Sequence, residues 1–220
     1  MVTGANRGIG LELARQLSAR GDRVVATARR PAEAAELARL PVRVEELDLA
    51  DSDSVEALGG RLAGEPVDVL IHNAAVGVEG PALAGLRTED FDRSFRVNAT
   101  GPIELTRVLL PQLRAGQSRQ ILALTSGLGS VSRNDSGGWY AYRASKAALN
   151  QLFRTLAHEL SVEGFTCLVV SPGWVRTEMG GPDAPLTPER SVADMLRIFD
   201  RLTPADTNKF LDQRGHTVPW

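Results

Sequence analysis

The chain has 220 residues, 43% hydrophobic and 24% charged, with a formal net charge of −2. That balance suits a globular protein with one sizeable core, and it excludes disorder, fibrous repeats and the basic surplus that nucleic acid or an anionic membrane surface attracts. The single Cys167 excludes an internal disulfide framework and a multi-cysteine metal site, and no apolar run approaches the roughly 20 residues of a membrane span. The expectations are one domain over residues 1–220, a reducing cytoplasmic location, no resident metal, and neither nucleic acid nor membrane as partner.

In chain order, only Met1 and Val2 precede the glycine-rich stretch TGANRGIG at 3–10. A first strand there is truncated, and a true start codon further upstream is expected. A helix follows over 8–20, then short β-branched and apolar runs at 23–28, 42–47, 67–72, 120–125 and 165–171, which read as strands buried on both faces. Helical segments alternate with them at 31–40, 52–63, 88–113, 140–163 and 188–202. Thr187 and Pro188 make the cap and first residue of the last. Alternating βα units require right-handed crossovers and a parallel sheet covered on both faces, a doubly wound Rossmann-like α/β fold. No internal repeat or linker interrupts it.

Two features carry chemistry. Gly4, Gly8 and Gly10 lie between the first strand and the first helix, where glycines permit a tight turn and close approach of backbone to a pyrophosphate at a helix N-terminus. A structural glycine turn is the competing reading. The second feature is YAYRASK at 140–146, which holds both tyrosines of the chain and one of its two lysines. Four residues apart on a helix, Tyr142 and Lys146 share a face, whereas Tyr140 points elsewhere. A phenol exchanging protons near pH 7 needs its pKa of about 10 depressed by roughly 3 units, or about 4 kcal/mol. An ammonium about 4 Å away at an effective dielectric of about 20 supplies about 4 kcal/mol.

The ordered set TGANRGIG at 3–10, LDLAD at 47–51, HNAA at 72–75, Asn98, Thr125 with Ser126, YRASK at 142–146 and SPGWVRTEM at 171–179 resembles the short-chain dehydrogenase/reductase family over essentially the whole chain. GSVSRNDSGGWYAYRASKAALN at 129–150 and FLDQRGHTVPW at 210–220 are most similar to its C-factor-like and Sniffer-like carbonyl reductases. The resemblance implies an oxidoreductase that moves hydride between the nicotinamide of NADP and a small or medium carbonyl or alcohol. It implies that Tyr142 protonates the substrate oxygen, Lys146 holds the nicotinamide ribose and favours the phenolate, and Ser126 hydrogen-bonds the carbonyl. Asn98 positions a water that relays protons to Lys146, or simply kinks its helix ahead of Gly101 and Pro102. Gly4, Asn6, Arg7, Gly8, Ile9 and Gly10 then form the phosphate loop. Asp48 with Leu49 meets the adenine, Asn73 and Ala74 line the adenosine, and Pro172, Gly173, Val175 and Thr177 cradle the carboxamide. His72 stands where the family more often has asparagine, and Ala75 where glycine is common.

The serine assignment has two candidates. Ser126 lies sixteen residues before Tyr142, further than the family's usual dozen, and Ser130 lies twelve before; Ser126 is chosen because it directly follows the strand at 120–125. The second strand ends in Ala28, Arg29 and Arg30 with no carboxylate to repel a 2′-phosphate, so Arg7 and Arg29 are expected to clamp NADP, with solvated surface arginines as the alternative. A short flap after 171–173 with Trp174 and Met179, and Trp139 before the tyrosine helix, suggests a partly apolar substrate site. Assembly into a homodimer or homotetramer is left open, because apolar stripes on 88–113 and 140–163 look the same whether they meet a partner or the sheet. A nucleotide-binding signalling protein on the same fold is the alternative reading, and a methyltransferase would need no tyrosine–lysine pair.

Overall fold

The computed structural model describes residues 1–77 and 83–220. Its strands are β1 (Val25–Ala28), β2 (Arg43–Glu46), β3 (Val69–His72), β4 (Gln120–Leu124), β5 (Thr166–Ser171) and β6 (Phe210–Asp212). β1 pairs with β2, and β3, β4, β5 and β6 pair in that order, every pair parallel. Val2 joins the two sets by bridging Ala26 of β1 and Ile71 of β3. Its N–H donates to Val25 O at 2.8 Å, and that of Thr3 to Ile71 O at 3.0 Å. The short first strand is therefore a one-residue bridge that feeds the chain directly into the glycine turn.

Period-two alternation divides the strand side chains between two cores. Ile121, Ala123, Cys167 and Val169 face Leu58, Leu105, Leu149 and Phe153, whereas Leu122, Leu124, Leu168 and Val170 face Leu13, Met195 and Phe199. The helices covering the sheet are α1 (Gly8–Ala19), α2 (Ala35–Ala38), α3 (Ser52–Arg61), α4 (Thr88–Phe95), α5 (Gly101–Val108), α6 (Leu110–Ala115), α7 (Tyr140–Leu160) and α8 (Pro188–Phe199). α8 starts as expected, with Pro188 as its first residue and Thr187 Oγ1 accepting from Arg190 N at 3.3 Å. Among the described residues no helix is long and apolar enough to cross a membrane.

Four expectations are corrected. The helix over 88–113 is broken by a π turn at Arg96–Thr100 and again at Leu109, where Pro111 cannot donate a backbone hydrogen bond in a continuing helix. The segment 31–40 is a 3₁₀ turn and a single helical turn, because Ala34 leaves helical geometry with ψ of 57°. β2 is not buried on both faces: it is a sheet edge, and Arg43 and Glu46 are exposed. β6 was not anticipated, since three residues are too few to show a pattern.

Candidate active site

The chain leaves Thr3 into a turn that only glycine fits at two places. Gly4 has φ of +63°, and a Cβ there would sit 2.8 Å from Ala74 Cα; one on Gly10 would collide with Gly4 O and Asn73 Nδ2. Asn73 fixes this turn by donating to Thr3 O at 2.9 Å and Gly4 O at 3.0 Å, so its side chain is committed to the loop. α1 has no side-chain cap at Arg7, and the N–H groups of Gly8, Ile9 and Gly10 have no protein acceptor among the described residues. Unpartnered donors at the positive end of a 12-residue helix form an anion site. Thr177 closes it from the other side, its Cγ2 3.3 Å from where a Gly8 Cβ would lie. Asn6 and Arg29 are exposed nearby in the chain order of the loop and the end of β1. Arg30 pairs with Glu33, and Arg7 pairs with Glu178 of the flap, whereas Arg29 has no ion-pair partner among the described residues. The residues present fit a dinucleotide with a phosphate-bearing ribose.

At the carboxyl ends of β4 and β5, the place where open parallel sheets hold ligands, α7 presents Tyr142 and Lys146 on one face. Lys146 Nζ donates to Leu124 O at 2.8 Å and lies 5.9 Å from the centre of the Tyr142 ring. Ser126 Oγ accepts from Leu128 N at 3.1 Å and lies close enough to the Tyr142 phenol to favour its ionised form. Ser130 is elsewhere: it is buried, and its Oγ donates to Pro219 O at 2.6 Å. Burial pushes the Tyr142 phenol above its ordinary value, with Ser126 pulling the other way, and burial pushes Lys146 down to about 7. The depression of the phenol by Lys146 that the i+4 spacing led us to expect is thus not what the chain's own groups produce. The lysine hydrogen bond goes to a backbone carbonyl, and desolvation outweighs the pair's attraction.

Asn98 is fully buried within the π turn, donating to Val76 O at 2.9 Å and Ser145 Oγ at 3.0 Å and accepting from Val76 N at 2.8 Å. Its side chain ties the turn to α7 and to the segment after β3. The helix irregularity expected at Asn98 is present, since the residue sits in a local widening of the helix. Asp48 Oδ1 accepts from Ala50 N at 2.9 Å, and Leu49 is buried against Gly101. Pro172 O accepts from Ser191 Oγ at 2.7 Å, Gly173 has φ of +81°, and Val175 bridges Leu186, which makes 174–186 a folded flap. Trp174 and Met179 remain exposed on it. Trp139 adopts φ of 55° and sets its ring edge-on to Tyr142 with centroids 5.9 Å apart. His72 lies beneath the site, its Nε2 2.9 Å from Thr106 Oγ1. Asn150 is a supporting residue of the site that the motifs did not single out. It accepts from Thr125 Oγ1 at 2.6 Å and donates to Gly129 O at 3.1 Å, holding the serine turn to α7. Its position one helical turn beyond Lys146 was the available signal.

The family model described as short chain dehydrogenase matches residues 1–185. The chain belongs to the short-chain dehydrogenase/reductase family. Within it, the chain groups with C-signal of Myxococcus xanthus, 47% identical over 155 residues that cover 70% of this chain and 93% of that protein. It also groups with carbonyl reductase Sniffer of Drosophila melanogaster, a solved structure with TM-score 0.93 and 29% identity covering 99% of this chain and 97% of that one. The NADPH-bound carbonyl reductase from chicken fatty liver superposes with TM-score 0.90 at 30% identity, over 100% of this chain and 97% of that one.

Proposed function

We propose that this oxidoreductase uses NADPH to reduce small or medium aldehydes and ketones. The observation that carries the reading is the grouping of Ser126, Tyr142 and Lys146 at the carboxyl ends of β4 and β5, in a chain whose α1 has an uncapped N-terminus. When bound, NADPH supplies hydride to the carbonyl carbon. Gly4, Gly8, Ile9 and Gly10 would hold its pyrophosphate, Arg7 and Arg29 its 2′-phosphate, Asp48 and Leu49 its adenine, and Pro172, Gly173, Val175 and Thr177 its carboxamide. Ser126 donates to the carbonyl oxygen as negative charge develops there, and Tyr142 transfers the phenolic proton to it. A phenol raised by burial stays protonated at neutral pH, which favours the reductive direction. Lys146, titrating near neutrality, returns a proton to the phenolate. Because the Asn98 side chain is committed, a water relay there would rest on its main-chain carbonyl.

The exposed Trp174 and Met179 and the strained Trp139 give the substrate an apolar rim. The likeness to the Sniffer and chicken carbonyl reductases supports the same reading. NADPH oxidation against a panel of aldehydes and ketones tests it: kcat/KM with NADPH is expected to exceed that with NADH by at least about tenfold, and Arg29→Asp to erase that preference. Equal efficiency with NADH would remove the arginine assignment. One finding favours a second reading, a signalling protein with little turnover, namely the identity to C-signal; absence of turnover across the panel would select it.

A further inference from the structure

The last three residues reach back across the molecule to the serine turn. Ser130 Oγ donates to Pro219 O at 2.6 Å, and Ser132 donates to Trp220 O twice, from its N–H at 3.1 Å and its Oγ at 2.7 Å. The Trp220 ring anchors this contact, packed against Phe210 of β6 with centroids 5.6 Å apart and lying 5.3 Å beneath the Arg154 guanidinium of α7. The segment enters this position from the antiparallel bridge between Leu211 and Thr217, with Val218 N donating to Phe210 O at 2.8 Å. Among the described residues, none of these groups hydrogen-bonds Tyr142 or Lys146.

What they fix is the turn that carries Ser126. That turn, Gly127–Gly129, is one 3₁₀ turn whose own hydrogen bonds, Leu128 N to Ser126 Oγ and Gly129 N to Ser126 O, cannot hold a loop of this kind unaided. Its beginning is held by Ser171 Oγ accepting from Gly127 N at 3.1 Å, and its middle by Asn150 on Gly129 O. Its far end, before the exposed excursion through 133–137, is held by 219–220. Without that hold, the excursion would load the remaining anchors at Gly127 and Gly129, through which it reaches Ser126.

We propose that residues 218–220 form a strap that positions Ser126 beside the Tyr142 phenol for the reaction. Trp220 is the anchor, and its carbonyl and that of Pro219 are the working acceptors. Trp220, Ser130 and Ser132 are positioning residues, acting only through Ser126. The catalytic part of the claim rests on the proposed reduction; the structural part does not.

The test is hydrogen exchange and pH-dependent turnover on Trp220→Ala, Trp220→Phe and Ser132→Ala, with Phe199→Leu, in the core on the other face of the sheet, as a control for general loss of stability. In Trp220→Ala the amides of Leu128 and Gly129 are expected to exchange about tenfold faster than in the parent protein, with amides of β5 unchanged. The reductive kcat falls about tenfold or more with little change in KM. Displacing Ser126 from the phenol removes the influence that lowers it, so the alkaline limb of the kcat profile moves to higher pH. Trp220→Phe, which keeps a ring on Phe210, restores most of both effects. Ser132→Ala, an exposed change that leaves the core intact, shows the same changes in smaller degree, and Phe199→Leu shows neither. Unchanged exchange at Leu128 and Gly129 in Trp220→Ala would overturn the strap whether or not the protein reduces a carbonyl. Faster exchange with an unmoved pH profile in active enzyme would overturn its link to Ser126.

Discussion

Acid should loosen this fold at one identifiable atom. His72 is buried at the end of β3, and Thr106 Oγ1 donates its own proton to Pro102 O at 2.8 Å, so the 2.9 Å contact with His72 Nε2 requires that nitrogen to carry the hydrogen. Nδ1 then has no partner among the described residues, and burial pushes the imidazole down to about 3. Unfolded, the same ring titrates near 6.5. Between those values the unfolded chain binds the extra proton, so stability falls as pH drops below 6.5 and the loss is complete only near 3. From pH 7.5 to pH 4.5 the loss from this ring alone is about 3 kcal/mol, a large part of the 5 to 15 kcal/mol of a typical domain. The perturbation is His72→Asn, which cannot titrate. Urea unfolding of both proteins at pH 7.5 and 4.5 measures the difference; carboxylates contribute equally to both and cancel. The parent protein is expected to lose about 3 kcal/mol more than the variant over this interval. Parallel losses would show that the ring is hydrated or protonated in the folded state and would refute the reasoning.

Gly10→Ala is expected to destabilise the protein by about 2 kcal/mol in urea unfolding and to weaken NADPH binding, because the added Cβ collides with Gly4 O inside the phosphate loop. Glu178→Gln releases Arg7 from its exposed ion pair; NADPH should bind two- to fivefold tighter by titration, an effect that fades at high salt. The Cys167 thiol, buried and pushed up to about 12, should react with a thiol reagent at pH 8 only as fast as the protein unfolds.

The parts of the site that were legible in the chain are those set by local spacing. Tyr142 and Lys146 share a face because four residues make about one helical turn, and the run from 140 to 160 contains no glycine or proline to break it. The glycine turn was legible because Gly4 and Gly10 stand where backbone atoms approach too closely for any side chain. Ser126 was preferred over Ser130 for its place directly after the strand at 120–125, and what the chain could not show was the contact 89 residues away in which Ser130 serves Pro219. The direction of the Tyr142 and Lys146 shifts was illegible for a related reason: spacing fixes a pair's separation roughly, but desolvation depends on everything packed around it. β6 and the strap escaped notice because three-residue strands and chain ends carry no periodicity. Pro111 was visible in the 88–113 run, yet the apolar pattern continues through it and masked the break at Leu109.

The most direct measurement is single-turnover reduction of a carbonyl compound by Tyr142→Phe in protein shown to be folded and saturated with NADPH. The rate is expected to fall at least about a hundredfold while NADPH affinity stays within about twofold of the parent protein. A rate equal to that of the parent would mean that the proton reaching the substrate oxygen comes from another group, and the proposed chemistry at this site would be wrong.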